Sequence, residues 1–595
     1  MSLPLRLRPE HLRRILGAAE SELTATELSL GFGFAMLYAA GCAALALRQA
    51  FASPYLLADD VREHVFWMFR FVDPRLFPHD VMADYFQSLA PGGFSALYWL
   101  LARVGIDPLL ASKLLPAFLS LFAVGYFFAL AARVFRSPVV ATFGAILFCQ
   151  CLWSNSDLAS ATPRAFFYPL FVAFLYYDVR GSSFGILVTI GLASVFFPPA
   201  ALLGLGVLAF DCLCFKRGLR MPLKKEARPY LLFAGAFGLI LVCLWPYLHR
   251  VGAFGPLVTY AEARQMPEFG PKGRVPFFFP SWWGYWVGGN AGVHVPPTRP
   301  PWFLAAFLWP LLRIFPKQFP LLKVVPRGAR PMSQMVGAAL LLFGVAHLLL
   351  FRLYLPNRYT QPPMRVLLTL AAGGVLLALV DAALRWAERR PDARPLLSSV
   401  AAIGFSAVLL GLVLGLPLLI PKFPTAGYVQ GSDPDLYRFL ARQPLTVRIA
   451  SLSDEANNLP TLCRRSITVG AECAVPFHPA YYLPLRRLGL QLARAQYSAD
   501  LDVVRRCVRD QQIDFWLLDR NAFSPDYANR SRLLRQLNMS VPQEILGLKE
   551  GVTPVLQRST PDSIVFEDAK FVILDMRRRL ASEPTLAVVN REVGQ

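Results

Sequence analysis

The sequence predicts a polytopic α-helical membrane protein that ends in a soluble α/β domain. Of its 595 residues, 55% are hydrophobic and 13% aromatic, more apolar than a single soluble core requires. Apolar runs of about 20 residues, enough to cross roughly 30 Å of hydrocarbon, recur along the chain. They stop near residue 420, where short strand-like and helical patterns take over.

Residues 1–27 hold the basic stretch RLRPEHLRR followed by AAESELTATELS. No apolar core of a signal peptide follows the basic part, and a cytoplasmic interfacial helix is expected. Spans are read near 28–50, 109–135, 138–153, 164–179, 183–198, 199–215, 229–248, 301–315, 333–353, 364–383 and 397–420, about eleven transmembrane helices within a membrane domain of 28–420. Between the fifth and sixth, VFFPPAALL is either a sharp turn or a kink. Basic loops at 215–229, 315–331 and 384–395 fall on one side together with the basic N-terminus only if the turn is real. Basic loops mark the cytoplasmic face, so the N-terminus is placed inside and residues 421–595 outside. The formal charge of +21 sits mostly in such loops, where anionic lipid headgroups are the expected partner and nucleic acid is not.

Nine cysteines are present. Cys42, Cys149, Cys151, Cys212, Cys214 and Cys243 lie in or beside spans and read as small buried hydrophobes. Cys463, Cys473 and Cys507 lie in the outward segment, where an oxidising compartment allows a Cys463–Cys473 bridge. No pair has the spacing of a zinc site.

The outward segments carry the unusual chemistry. In the loop 51–108, LLADDVREHVFW places Asp59 and Asp60 at the start of a short helix, where its dipole favours acids. Asp60 and His64 then share a face, as do Asp59 and Glu63. Asp73, His79, Asp80 and Asp84 follow. Such carboxylates suit magnesium or manganese, or serve as a base; the plainer reading is that Asp59 and Asp60 cap a helix and keep the loop wet. A second short helix, 93–105, is expected in the membrane interface. The segment 153–170 carries Arg164, which either snorkels to the interface or grips a lipid phosphate by two parallel hydrogen bonds. The loop 249–300, rich in Gly, Pro and aromatics, reads as a lid or binding loop or, through PFFFPSWWGYW, as an aromatic belt. In YLPNRYTQPPMR (354–365), Arg358 and Arg365 beside a tyrosine suggest an anion site.

From 421 to 595 the pattern is that of an extracytoplasmic α/β domain. Ser432 or Asp433 caps a helix that has Pro434 in its first turn. TVRIASLS, SITVG, DFWLLDR and KFVILDM read as strands, SADLDVVRRCVRDQQ as a helix, and DEANNLPTLCRRS and FHPAYYLP as loops.

A first span, an outward loop opening with an acidic pair, many later spans, an outward turn with an arginine and a soluble outward C-terminal domain together resemble the GT-C superfamily of integral-membrane glycosyltransferases. The resemblance implies a polyprenyl-phosphate-linked sugar donor, a glycan, lipid or protein acceptor, and an address in a bacterial inner membrane. It also implies that Asp59 or Asp60 is the base or positions the acceptor, that Arg358 holds donor phosphate with Arg164 as second choice and Arg365 beside them, and that His64, Glu63, Asp84 and Tyr359 are candidate acceptor or metal contacts. A divalent metal, magnesium or manganese, would sit on Asp59, Asp60 and His64. The pair is DD where several branches carry DE, and PSWWGYW lacks the acid of the WWDYG motif of oligosaccharyltransferases. Two other readings remain: a catalytically silent relative that binds glycan or a partner through its outward domain, and a lipid or solute transporter. Ionisable residues concentrated outside the spans argue against transport.

Overall fold

The computed structural model describes residues 9–16, 24–213, 223–294, 300–323, 330–389, 395–524, 526–537, 553–558 and 560–581. Among them, six helices are long and apolar enough to cross a membrane: Ala25–Ala50, Pro108–Phe135, Ala227–Phe254, Arg330–Leu348, Asn357–Glu388 and Leu396–Leu414. Shorter apolar helices are Pro138–Trp153, Ser183–Phe196, Pro198–Asp211 and Phe303–Arg313, with Phe167–Arg180 beside them.

The first long helix shows how the sequence builds this layer. Thr24 and Glu27 close a capping box at its start, which satisfies two otherwise orphan N–H groups. Its inward face is a row of small side chains, Ala35, Ala39, Cys42, Ala43 and Ala46, which let the Pro108–Phe135 and Pro138–Trp153 helices approach closely. Leu30, Phe34 and Leu37 point outward and are exposed, as a lipid-facing surface requires.

Proline shapes the chain at two points. Ser183–Phe196 and Pro198–Asp211 are separate helices that pack on each other, so VFFPPAALL is a turn. In 301–315 the chain forms two short helices, Phe303–Ala306 and Trp309–Arg313, because Pro310 has no N–H to continue the first one. At the N-terminus, the amphipathic helix Pro9–Leu16 docks on the Asn357–Glu388 helix through an Arg13–Glu388 ion pair.

The loop 51–108 and the C-terminal part share one hydrophobic core. Strand β1 (Leu56–Ala58) pairs antiparallel with β2 (Tyr428–Gln430). Beyond them lie β3 (Arg448–Ser451), β4 (Ser466–Ile467), β5 (Phe515–Asp519), β6 (Ile564–Glu567) and β7 (Phe571–Asp575) in the order β4-β3-β5-β7-β6. Strand β3 is parallel to β4 and β5, whereas β7 is antiparallel to β5 and β6. Trp67, Phe69, Tyr85 and Phe94 of the loop pack in the same cluster as Leu436, Ile449, Tyr481 and Trp516.

Asp433 caps the Pro434–Ala441 helix, and Leu501–Gln511 is helical. Two stretches read as loops differ. FHPAYYLP opens the long helix Pro479–Tyr497, with Pro479 in its first turn and Pro484 inside it. DEANNLPTLCRRS holds a 3₁₀ turn and the helix Leu459–Cys463. Pro460 and Pro479 look like breakers in sequence but fall in first helical turns, where the missing N–H has no partner to lose. Cys463 and Cys473 are buried free thiols, not a bridge.

Candidate active site

Asp60 stands at the N-terminus of the four-residue helix Val61–His64, yet its side chain makes no capping bond. It turns instead toward Arg164, whose Nη2 donates to Asp60 Oδ2 at 2.6 Å. Arg164 lies in the 3₁₀ turn Pro163–Phe166, which feeds directly into the Phe167–Arg180 helix. Its Nε is 3.2 Å from Asp157 Oδ1. Asp157 is held from its other side by Arg365 and accepts from the Tyr168 hydroxyl at 3.2 Å. Arg365 in turn donates to that hydroxyl at 2.8 Å. A continuous chain of opposite charges therefore joins the loop 51–108, the segment after the Pro138–Trp153 helix and the Asn357–Glu388 helix.

The last member is different. Arg358, in the first turn of the Asn357–Glu388 helix, is half-buried. Among the described residues no carboxylate lies within ion-pairing distance of it, and its guanidinium sits over the Tyr354 ring at 5.8 Å. Its field still reaches both carboxylates. Burial would raise the Asp60 carboxyl, but Arg164, His64 and Arg358 together hold it below the usual range. Asp157 is held lower still: burial is outweighed by Arg365, Arg164 and Arg358. Burial pushes the His64 imidazole down, only partly offset by Asp60, so His64 is neutral near pH 7. Its ring meets Phe86 edge-on. The arrangement keeps two ionised carboxylates beside three guanidiniums, one of them without a carboxylate of its own.

Several candidates lie elsewhere. Asp59 is half-exposed and pairs with Arg62, not with Arg164. Two consecutive residues at a helix start face different ways, so the acidic pair is split. Arg62 also donates to Glu472 Oε1 at 2.7 Å. Glu63 pairs with Arg274, which reaches Glu472 Oε2 at 2.9 Å, and Arg532 closes on the same Glu472. Burial drives the Glu63 carboxyl up, while Arg274, Arg62 and Arg532 overcome burial to keep Glu472 low. Asp84 pairs with Arg70 at 2.7 Å, and Asp80 caps the Val81–Leu89 helix through bonds from the Met82 and Ala83 N–H groups. Tyr359 is buried and donates to the Leu353 carbonyl. The acids of the first loop are thus dispersed among separate partners.

Asp59, Asp60 and His64 do not make a metal cradle. Each carboxylate faces a guanidinium, and among the described residues no three His, Cys, Asp or Glu side chains converge as ligands would. No step below is routed through a metal. Asp157 and Tyr168 were not singled out from the sequence. The signal was present in WSNSDLASATPR, where an acid lies seven residues before the arginine in a polar run just outside a span.

No family model matches the chain, and no curated protein matches it. Solved structures do. The archaeal oligosaccharyltransferase AglB from Archaeoglobus fulgidus, in complex with an inhibitory peptide and a dolichol-phosphate, is 12% identical with a TM-score of 0.44, over 86% of this chain and 72% of that one. The same organism's oligosaccharyltransferase tethered to an acceptor peptide gives 11% and 0.46, over 86% and 71%. The mycobacterial arabinofuranosyltransferase AftD gives 14% and 0.47; the match spans 87% of this chain but 37% of AftD. These neighbours are GT-C superfamily membrane glycosyltransferases, the superfamily that the sequence resembles. At these values the functional reading rests on the site's own residues.

Proposed function

We propose that the protein is a membrane glycosyltransferase that moves a sugar from a polyprenyl-phosphate-linked donor to an acceptor hydroxyl at the outer membrane face. In this reading about eleven spans within 28–420 carry the site, the N-terminus is cytoplasmic, and residues 421–595 form an extracytoplasmic domain over the first loop. The observation that carries it is the unequal charge cluster: ionised Asp60 tied to Arg164, with Arg358 close by and lacking a carboxylate partner.

The donor phosphate enters beside Arg358 and takes one or more hydrogen bonds from Arg164. The acceptor hydroxyl attacks the anomeric carbon from the face opposite the phosphate, so the configuration inverts. The bond from the anomeric carbon to the phosphate oxygen breaks, and its electron pair leaves with the lipid phosphate. The acceptor's proton passes to Asp60. Arg358 and Arg164 stabilise the charge that develops on the leaving phosphate. A phosphate that draws Arg164 away also frees the Asp60 carboxylate and raises its basicity, because Arg164 is the largest influence holding it low. Asp157, itself held by Arg365, keeps its contact with the Arg164 Nε while Nη2 turns to the phosphate.

The test is transfer of labelled sugar from a panel of polyprenyl-phosphate sugars by the purified protein. Asp60→Asn should abolish transfer while leaving donor binding, and Asp59→Asn should leave transfer near the wild-type rate. Donor binding without turnover in the wild type would point to the silent relative, and no binding across the panel would sink the donor assignment.

A further inference from the structure

We infer that Tyr354 is a positioning residue of the donor-phosphate subsite: its ring holds Arg358 in place by a cation–π contact, which leaves the guanidinium's charge and donors free for phosphate. The inference deepens the transferase reading above and rests on it.

Two independent features of the turn before the Asn357–Glu388 helix support it. The first is the way Arg358 is held. Arg164 and Arg365 are both tied to carboxylates, which fix a guanidinium but also occupy its donors and cancel its charge. Arg358 is oriented instead by the face of Tyr354, 5.8 Å from the ring centroid. An aromatic face attracts a cation without neutralising it. This is the chemistry suited to an arginine that must keep its place yet meet an incoming anion.

The second is the backbone. Tyr354 has φ of +63°, the left-handed region in which a bulky L side chain is an outlier and which glycine enters freely. Burial does not explain a tyrosine there, since 41% of it is exposed. Its N–H donates to the Phe351 carbonyl at 2.8 Å, closing the turn through the main chain alone. The turn therefore does not need this side chain. What the side chain does is reach two other parts of the molecule: Arg358 and the Phe477 ring at 5.4 Å. A strained residue at the edge of a charge cluster is where function, not folding, sets the conformation.

The full-length protein in detergent, titrated with farnesyl phosphate as a short lipid-phosphate probe, tests this by calorimetry, beside thermal unfolding and donor-dependent kinetics. Tyr354→Phe keeps the ring and should bind the probe within about twofold of wild type. Tyr354→Ala and Tyr354→Gly should each weaken binding on the order of tenfold, raise the donor KM by a similar factor and change kcat less. Tyr354→Gly should unfold at or above the wild-type temperature, because it relieves the left-handed strain. Wild-type affinity in Tyr354→Ala would overturn the inference, as would equal loss in the Phe and Ala variants, which would assign the effect to the hydroxyl. A loss of affinity that tracks a fall in unfolding temperature in both Ala and Gly variants would make the residue merely structural. Arg358→Ala is the separate control: if it binds the probe like wild type, the phosphate subsite itself is wrong and the inference falls with it.

Discussion

Two ion clusters start from neighbouring residues, Asp59 and Asp60, and they are built differently. The Asp59 side joins three carboxylates (Asp59, Glu63 and Glu472) to three guanidiniums (Arg62, Arg274 and Arg532). It ties together the loop 51–108, the loop 249–300 and the C-terminal part, and each of its guanidiniums touches a carboxyl group. The Asp60 side sets Asp60 and Asp157 against Arg164, Arg365 and Arg358, leaving one positive charge over. A network in which every guanidinium already has a carboxyl partner is a clamp, because its donors are satisfied away from water. A network with a guanidinium, Arg358, that has no carboxylate partner among the described residues is receptive, since an anion entering it completes the pairing. The difference teaches that an acidic dipeptide in a sequence need not be one functional unit.

The sharpest way to break this comparison is to disable one carboxylate in each cluster. Asp60→Asn should lower sugar transfer by about 10²–10⁴-fold, the range of a lost general base, with a smaller fall in unfolding temperature than Glu472→Ala. Equal activity in the wild type and this variant would remove Asp60 from the chemistry. Glu472→Ala should do the reverse. Its side chain is 2% exposed and faces three arginines, so its loss should destabilise by about 3–5 kcal/mol, read by thermal or denaturant unfolding. A small effect would mean that the clamp does not join the loop to the C-terminal part.

Acid sharpens the contrast further. Asp60 and Asp157 are both held below their ordinary value of about 3.9 in the folded protein. Their contribution to stability is therefore complete above that value and is lost as pH falls through the lower folded values. The wild type should lose stability more steeply than Asp157→Asn between about pH 4 and pH 2, and parallel curves would refute the depression. The smallest effect is expected at Asp59→Asn. Half-exposed and paired only with Arg62, it should shift stability by within about 0.5 kcal/mol and leave transfer near wild type.

Much of the fold was legible because its signals are local. Apolar runs near 28–50, 109–135 and 364–383 became the helices Ala25–Ala50, Pro108–Phe135 and Asn357–Glu388, since a bilayer demands continuous apolar stretches. TVRIASLS, SITVG, DFWLLDR and KFVILDM became β3, β4, β5 and β7, since β-branched and aromatic runs between turns favour strands. Proline misled at FHPAYYLP, read as a loop, because its effect depends on whether it falls in a first helical turn or further in. The site was only half legible. Arg164, Arg358, Arg365, Asp60 and His64 stood out as charged or aromatic residues just outside spans, but Asp157, in the same quoted segment as Arg164, did not.

The sequence by itself determined that this chain carries helices long and apolar enough to cross a membrane, and that its candidate charged residues gather in the segments between them. Those properties follow from length, hydropathy and local spacing. Only the tertiary structure decided which carboxylate meets which guanidinium. That choice depends on contacts between residues 104 to 410 positions apart, Arg164 with Asp60 and Arg62 with Glu472, and on the facing of two consecutive side chains at a helix start. Neither is encoded in any local pattern, because a charge carries no address until packing brings one partner within reach and turns the other away.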